Sequence, residues 1–80
     1  MNEYIATFHT HLSAMLTYEA LQSAGCRAKM QPVPRALSSS CGTCVRFQAE
    51  TDCRSLLDQD AEALYAVERG AYRPLWQSEV

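Results

Sequence analysis

The sequence predicts an α+β fold: a two-layer ferredoxin-like sandwich, with a four-stranded antiparallel sheet and two helices on one face. Three observations support it. Short segments such as Cys26 to Gln31 alternate small or apolar residues with polar ones, as a half-buried strand does. Two stretches read as helices, each followed by a glycine stop, Gly25 and Gly70. The segments come in the order strand, helix, strand, strand, helix, strand, with no repeat or linker to divide them, so residues 1–80 form one domain.

The first strand is Tyr4 to Phe8, rich in aromatic and β-branched residues. A helix follows from about Leu12 to Ala24, with Thr10 or His11 at its entry and a threonine cap the favoured role. Ala14, Tyr18, Leu21 and Ala24 lie at the spacing of a buried stripe, while Leu12, Leu16 and Ala20 occupy another side. That divided apolar surface, on so small a chain, favours a homodimer. The strand from Cys26 to Gln31 turns Cys26, Ala28 and Met30 inward, which makes Cys26 a small core residue. A third strand, Thr43 to Gln48, places Val45 and Phe47 on one face and Cys44 and Arg46 on the other, so Cys44 is expected to emerge away from the core. Thr51 or Asp52 caps a second helix running to about Arg69 and ended by Gly70, with Leu57, Ala61, Leu64 and Val67 or Glu68 marking its packing side and the apolar members supplying the contact. Ala71 to Trp76 completes the sheet, and Pro74 demands an edge or a distortion there.

Composition narrows the function. The chain is 48% hydrophobic and 20% charged, which argues for a folded domain over disorder. Its formal charge of -2 and scattered basic residues predict no nucleic-acid partner. No apolar run approaches the roughly 20 residues that span a bilayer, and the start Met1-Asn2-Glu3 has no secretory character, so no membrane role and a cytoplasmic location are expected. No glycine pattern marks a phosphate or dinucleotide loop, and no cofactor is expected. Structural zinc sites usually use two close pairs, whereas here one pair, Cys41 and Cys44, accompanies two isolated cysteines, Cys26 and Cys53; no metal is expected. His9 and His11 are read as polar or capping residues, and Asp58, Asp60 and Glu62 as a solvated helix face.

The chemistry concentrates between Pro32 and Phe47. Pro32 and Pro34 fix φ and stiffen the approach to a polar run, Ser38-Ser39-Ser40, that ends in Cys41-Gly42. Gly42 permits a backbone conformation or a close approach that a side chain would obstruct. An exposed thiol here suits sulfur transfer: a thiolate attacks an activated donor and holds the acquired atom as a terminal persulfide, or its selenium counterpart. Arg35, and less directly Arg46, would favour the anionic form if within roughly 4 to 6 Å of the sulfur. Cys44 opens a second route, because Cys-x-x-Cys spacing lets one thiol attack and the other resolve, although an extended chain from Thr43 onward sets the pair apart. A third reading is a noncatalytic interaction or regulatory module that uses the loop as a docking edge. The loop supplies a thiol but no complete substrate pocket, which favours a carrier over an independent enzyme.

Thr7-Phe8-His9, Ala14, Glu19, Leu21 and Gly25, followed by Pro32-Val33-Pro34-Arg35, Leu37-Ser38-Ser39, Cys41-Gly42 and Val45-Arg46-Phe47, resemble a small bacterial domain of unknown function described as a "putative selenium/sulfur carrier-like" protein. The resemblance covers most of the chain and is strongest from Pro32 to Phe47. It implies a cytoplasmic bacterial or archaeal protein of sulfur or selenium metabolism, with Cys41 at the carrier position and donor and acceptor proteins as partners. Cys44 stands where the family more usually has a small or aliphatic residue, so the resemblance gives it no role.

Overall fold

The computed structural model describes residues 1–79. Its elements are β1 (Asn2–Phe8), α1 (His11–Ser23), β2 (Arg27–Pro32), β3 (Thr43–Ala49), a single 3-10 turn at Arg54–Leu56, β4 (Ala61–Glu68) and β5 (Ala71–Gln77). All strands join one sheet in the order β2-β3-β1-β4-β5, and every neighbouring pair is antiparallel. β1 and β2 therefore run parallel with β3 inserted between them, which is a split β-α-β unit with α1 as its crossover.

The α+β class and the antiparallel sheet match the sequence expectation, but the second helix does not form. A ferredoxin-like sandwich carries a helix between its third and fourth strands; here that connection holds only the Arg54–Leu56 turn, and the second half of the segment expected to be helical is β4. The sheet accordingly has five strands and the other layer a single helix. The reason lies in β4's place in the sheet. It sits between β1 and β5, and Ala61, Ala63, Leu64, Tyr65 and Ala66 are all buried, so side chains on both of its faces are covered. A strand buried on both faces loses its period-two alternation and reads as a continuous apolar run. The helical spacing of Ala61, Leu64 and Val67 is a coincidence within that run, and Leu57 lies before it, just past the 3-10 turn. Gly70 stops no helix. With Arg69 at φ 52° and Gly70 at φ 79°, the two residues form the tight left-handed turn that joins β4 to β5.

The first half follows expectation more closely. Thr10 is the N-cap of α1, accepting from the Ser13 amide at 3.1 Å, and Gly25 takes up φ 85° just beyond the helix end. Ala14 and Leu21 are buried, as are Ser13 and Thr17; Tyr18 is half-buried, whereas Ala24 is exposed and leaves the predicted stripe. Leu12, Met15 and Leu16 face outward. Ala14 and Leu21 pack on a sheet face built from Tyr4, Ala6 and Phe8 of β1, Val45, Phe47 and Ala49 of β3, and Leu64 and Ala66 of β4. Tyr4 and Phe47, directly opposite one another across the β1–β3 ladder, stack with ring centroids 5.3 Å apart. Burying each of the large side chains here contributes about 1.5–3 kcal/mol, so a few of them dominate the stability of so small a domain. Cys26, Ala28 and Met30 are half-buried against this cluster, as the alternation predicted. β2 itself runs one residue further than expected, through Pro32, which an edge strand tolerates. Pro74 lies on the other edge strand, beside a register shift opposite Leu64 and Tyr65.

The opposite sheet face carries no helix yet buries Ile5, Thr7 and Cys44 completely. Arg46 of β3 is diagonal to Glu3 of β1 on this face and binds it at 3.0 Å, while Tyr72 of β5 helps, after Glu3, to hold the guanidinium in its charged form. Ile5 lies between Arg46 of β3 and Tyr65 of β4 in the register, so long side chains of both neighbouring strands flank it. Cys44 does lie on the face opposite Val45, but it is not exposed as expected: its relative exposure is 0%.

Candidate functional site

Residues 33–42 form a loop that leaves β2 and returns to β3, and its ends are tied together. The Val33 amide donates to the Gly42 carbonyl at 3.1 Å, one step beyond the Pro32–Thr43 rung of the ladder. Inside the loop, Leu37 donates to the Pro34 carbonyl at 3.0 Å, closing a turn with Arg35 and Ala36 at its centre. The proline stiffening read from sequence is therefore realised as a local turn on a closed loop.

Three contacts fix the far side of the loop to the end of the sheet. Ser39 Oγ donates to the Phe8 carbonyl at 2.9 Å. Ser40 binds Glu62 twice, its amide donating to Oε1 at 3.3 Å and its hydroxyl to Oε2 at 2.8 Å. His9 Nδ1 lies 3.5 Å from both the Ser40 hydroxyl and Glu62 Oε2. The His9 amide also donates to the Asp60 carbonyl at 3.1 Å, which ties the end of β1 to the start of β4. His9 Nε2 is buried without a hydrogen-bond partner among the described residues. The serine run is thus more than a polar approach: two of its three hydroxyls hold the residue before Cys41 in place.

Cys41 is half-buried, packed against the cluster that contains Phe8 and Val45, and its thiol donates to the Thr43 carbonyl oxygen at 3.5 Å. It is less exposed than a loop position suggested. Gly42 has φ 75°, the left-handed region, and a Cβ built there would meet nothing within 4 Å. Of the two roles open to it in the sequence, the structure selects the backbone conformation over close approach. Arg35 is exposed at the turn. Arg46, bound to Glu3, acts on a different sulfur from the one expected: its charge pulls the Cys44 thiol down, partly offsetting burial, which is the larger effect and leaves that thiol above its ordinary value. Cys44 donates to the Pro32 carbonyl at 3.7 Å, whereas Cys41 uses Thr43. Gly42 and the first strand residue, Thr43, separate them, and both are free thiols. The Cys-x-x-Cys pair is therefore not arranged as a closed dithiol.

Beside the loop, Thr7, Ser38, Glu62, Ala63, Tyr65 and Gln77 line a shallow polar cleft of about 250 Å³. Thr7 Oγ1 is buried there with no hydrogen-bond partner among the described residues. Sequence reasoning misses Glu62 and His9 as parts of this site. The sequence pattern places Glu62 on a helix that does not form, and only the register of β4 against β1, with Phe8 opposite Ala61, brings it beside the serine run. No three His, Cys, Asp or Glu side chains among the described residues converge as a metal site. No helix among them is long and apolar enough to cross a membrane.

Residues 3–63 match the family model described as "Putative Se/S carrier protein-like". The match spans β1 through the start of β4, and so takes in the whole loop and both of its anchors, His9 and Glu62. Among curated proteins, the chain is similar to the uncharacterized protein YtiA of Escherichia coli strain K12, with 27% identity over 75 residues that cover 91% of this chain and 88% of YtiA. No solved structure matches the chain.

Proposed function

Because the chain belongs to the Se/S carrier-like family, we propose that it carries one sulfane sulfur or selenium atom on Cys41, between a donor and an acceptor protein in the cytoplasm. The observation that carries this reading is the contrast among the four thiols. Cys44 is fully buried, and Cys26 and Cys53 face one another, whereas the half-buried Cys41 thiol bonds to the Thr43 carbonyl and not to another sulfur, on a loop held by Glu62 and the serine run. A carrier needs a single thiol in a fixed setting, with no neighbouring thiol to expel the acquired atom as a disulfide forms.

In the loading step the Cys41 thiolate attacks the terminal sulfur of a donor persulfide, R–S–SH. A bond forms between Cys41 Sγ and that sulfur, the donor S–S bond breaks, and its electron pair leaves with R–S⁻, which takes the proton given up by Cys41. Delivery reverses the pattern: an acceptor thiolate attacks the terminal sulfur and Cys41 returns as the thiolate. No net oxidation occurs on the carrier. A donor holding a terminal selenium follows the same course. Gly42 sets the turn beside the thiol, and Arg35, exposed on the same loop, is the cation available to an anionic adduct. The chain acts as a carrier and not as an independent enzyme.

Loading is tested by incubating the reduced protein with a persulfide donor and mapping the added mass by peptide mass spectrometry. The sulfur is expected on Cys41, and Cys41→Ser, checked for folding by circular dichroism, is expected to take none. Loading that persists in Cys41→Ser, or that maps to Cys44, would overturn the assignment. Homodimer formation through the outward Leu12, Met15 and Leu16 of α1 belongs to the same proposal, and light scattering in reducing buffer decides it.

A further inference from the structure

We propose that Cys26 and Cys53 form a second thiol site, a dithiol that low-molecular-weight disulfides oxidise to a reversible internal disulfide. It is independent of sulfur carriage on Cys41.

The two sulfurs lie 3.8 Å apart although the residues are 27 positions apart in sequence, and both thiols are free. Closing a disulfide requires about 2.05 Å, so the sulfurs must approach by less than about 2 Å, within reach of small side-chain and loop adjustments. The surroundings hold each partner at its place. Cys26 follows Gly25 at the end of α1, where its amide donates to the Leu21 carbonyl at 2.9 Å. Cys53 precedes the Arg54–Leu56 turn; its carbonyl accepts from the Leu56 amide at 2.9 Å, and its amide donates to Thr51 Oγ1 at 3.4 Å. Cys53 also has φ 52°, a left-handed backbone uncommon for a residue with a side chain. The connection thus adopts a disfavoured conformation at the residue whose sulfur meets Cys26.

Both residues are half-buried against the helix-side core. Burial, followed by the neighbouring Cys53, raises the Cys26 thiol above its ordinary value. Thr51 Oγ1 lies 3.9 Å from the Cys53 sulfur and can donate its hydroxyl to a thiolate there, so Cys53 leads. Its thiolate attacks one sulfur of glutathione disulfide, forming a mixed disulfide and releasing one glutathione thiolate. Cys26 then loses its proton to solvent and attacks the Cys53 sulfur, which forms the Cys26–Cys53 bond and expels the second glutathione. Two protein thiols are oxidised and one glutathione disulfide is reduced. The bond would tie the α1–β2 junction to the β3–β4 connection, the segment where a second helix was expected and only one 3-10 turn is found.

The test incubates the full reduced chain with glutathione disulfide under native conditions. The wild type is expected to lose two hydrogen masses, to yield a Cys26–Cys53 linked peptide on digestion, and to recover fully with dithiothreitol. Cys26→Ser is expected to stop at a glutathione adduct on Cys53. The Cys41→Ser/Cys44→Ser double variant, with the pair intact, is expected to form the same linked peptide as wild type, which separates this site from the carrier loop. An unchanged mass, a lasting glutathione adduct on Cys26 or Cys53 of the wild type, or a linkage through Cys41 or Cys44 would overturn the proposal.

Discussion

Glu62 is the residue on which the geometry of the carrier loop depends most, and Glu62→Ala tests that dependence. The substitution removes both hydrogen bonds to Ser40, at 3.3 and 2.8 Å, and the 3.5 Å approach to His9. Hydrogen bonds to a charged group contribute about 1.5–3 kcal/mol each when shielded. Ser40 is exposed and the Glu62 side chain is 24% exposed, so water replaces much of what is lost. We expect the loop to be destabilised by about 1–2 kcal/mol in total, which raises its open population roughly 5- to 30-fold. Native-state hydrogen exchange should show the Ser40 amide losing protection by that factor, with the β1, β3 and β4 amides unaffected because the strand backbone is intact. Alkylation of Cys41 should quicken in parallel, since the half-buried thiol is released with its neighbour. Glu62→Gln keeps an acceptor and should fall between wild type and Ala. Unchanged Ser40 exchange in a folded Glu62→Ala protein would refute the idea that this carboxylate holds the loop.

Gly42→Ala should lower stability by about 1 kcal/mol through its φ of 75° alone, because the added Cβ meets nothing; denaturant unfolding measures it, and a loss of several kcal/mol would show a steric role instead. Cys44→Ala should leave loading on Cys41 unchanged while costing about 1 kcal/mol of stability, since the thiol is fully buried in the sheet. The same variant tests a pH effect. Burial holds the Cys44 thiol above its ordinary value of 9.0, so it favours the folded state fully below pH 9.0 and loses that contribution as pH rises through the higher folded value. Unfolding midpoints measured from about pH 8 upward should therefore fall less steeply in Cys44→Ala than in wild type, and equal slopes would contradict the burial argument.

In the first half of the chain α1, β2 and most of β3 announce their structure by their patterning, and β1, buried on both faces, by its aromatic and β-branched residues. Val45 and Phe47 alternate with partly exposed Arg46 and Gln48, and Thr10 stands at a helix entry with Gly25 just past the exit. The second half hides its strands. β4 is covered on both faces, so Ala63 to Val67 shows no alternation, and a helical stripe can be drawn through it by chance. The Arg69-Gly70 pair is open to two readings, as a helix terminus or a hairpin turn, and only the second places a strand on each side of it. The loop is legible in its prolines, serines and Cys41. Its anchors are not, because Glu62 and His9 lie 22 and 31 positions from Ser40 and meet it only through the sheet register. Cys44 shows the same limit: alternation assigns its face correctly, but its burial depends on the assembled sheet, where Thr7 of β1 and Gln31 of β2 stand on either side of it.

The central claim is that Cys41 passes on the atom it receives, and a single-turnover transfer measures that directly. Wild-type protein is loaded from a persulfide donor whose terminal sulfur is isotopically labelled, freed of excess donor, and mixed with a thiol acceptor. The label is expected to leave Cys41 and appear on the acceptor as the free Cys41 thiol is recovered in equal amount, with Cys44, Cys26 and Cys53 unlabelled throughout. Label that stays on Cys41, passes through another cysteine, or reaches the acceptor equally well in Cys41→Ser would contradict carriage by this thiol.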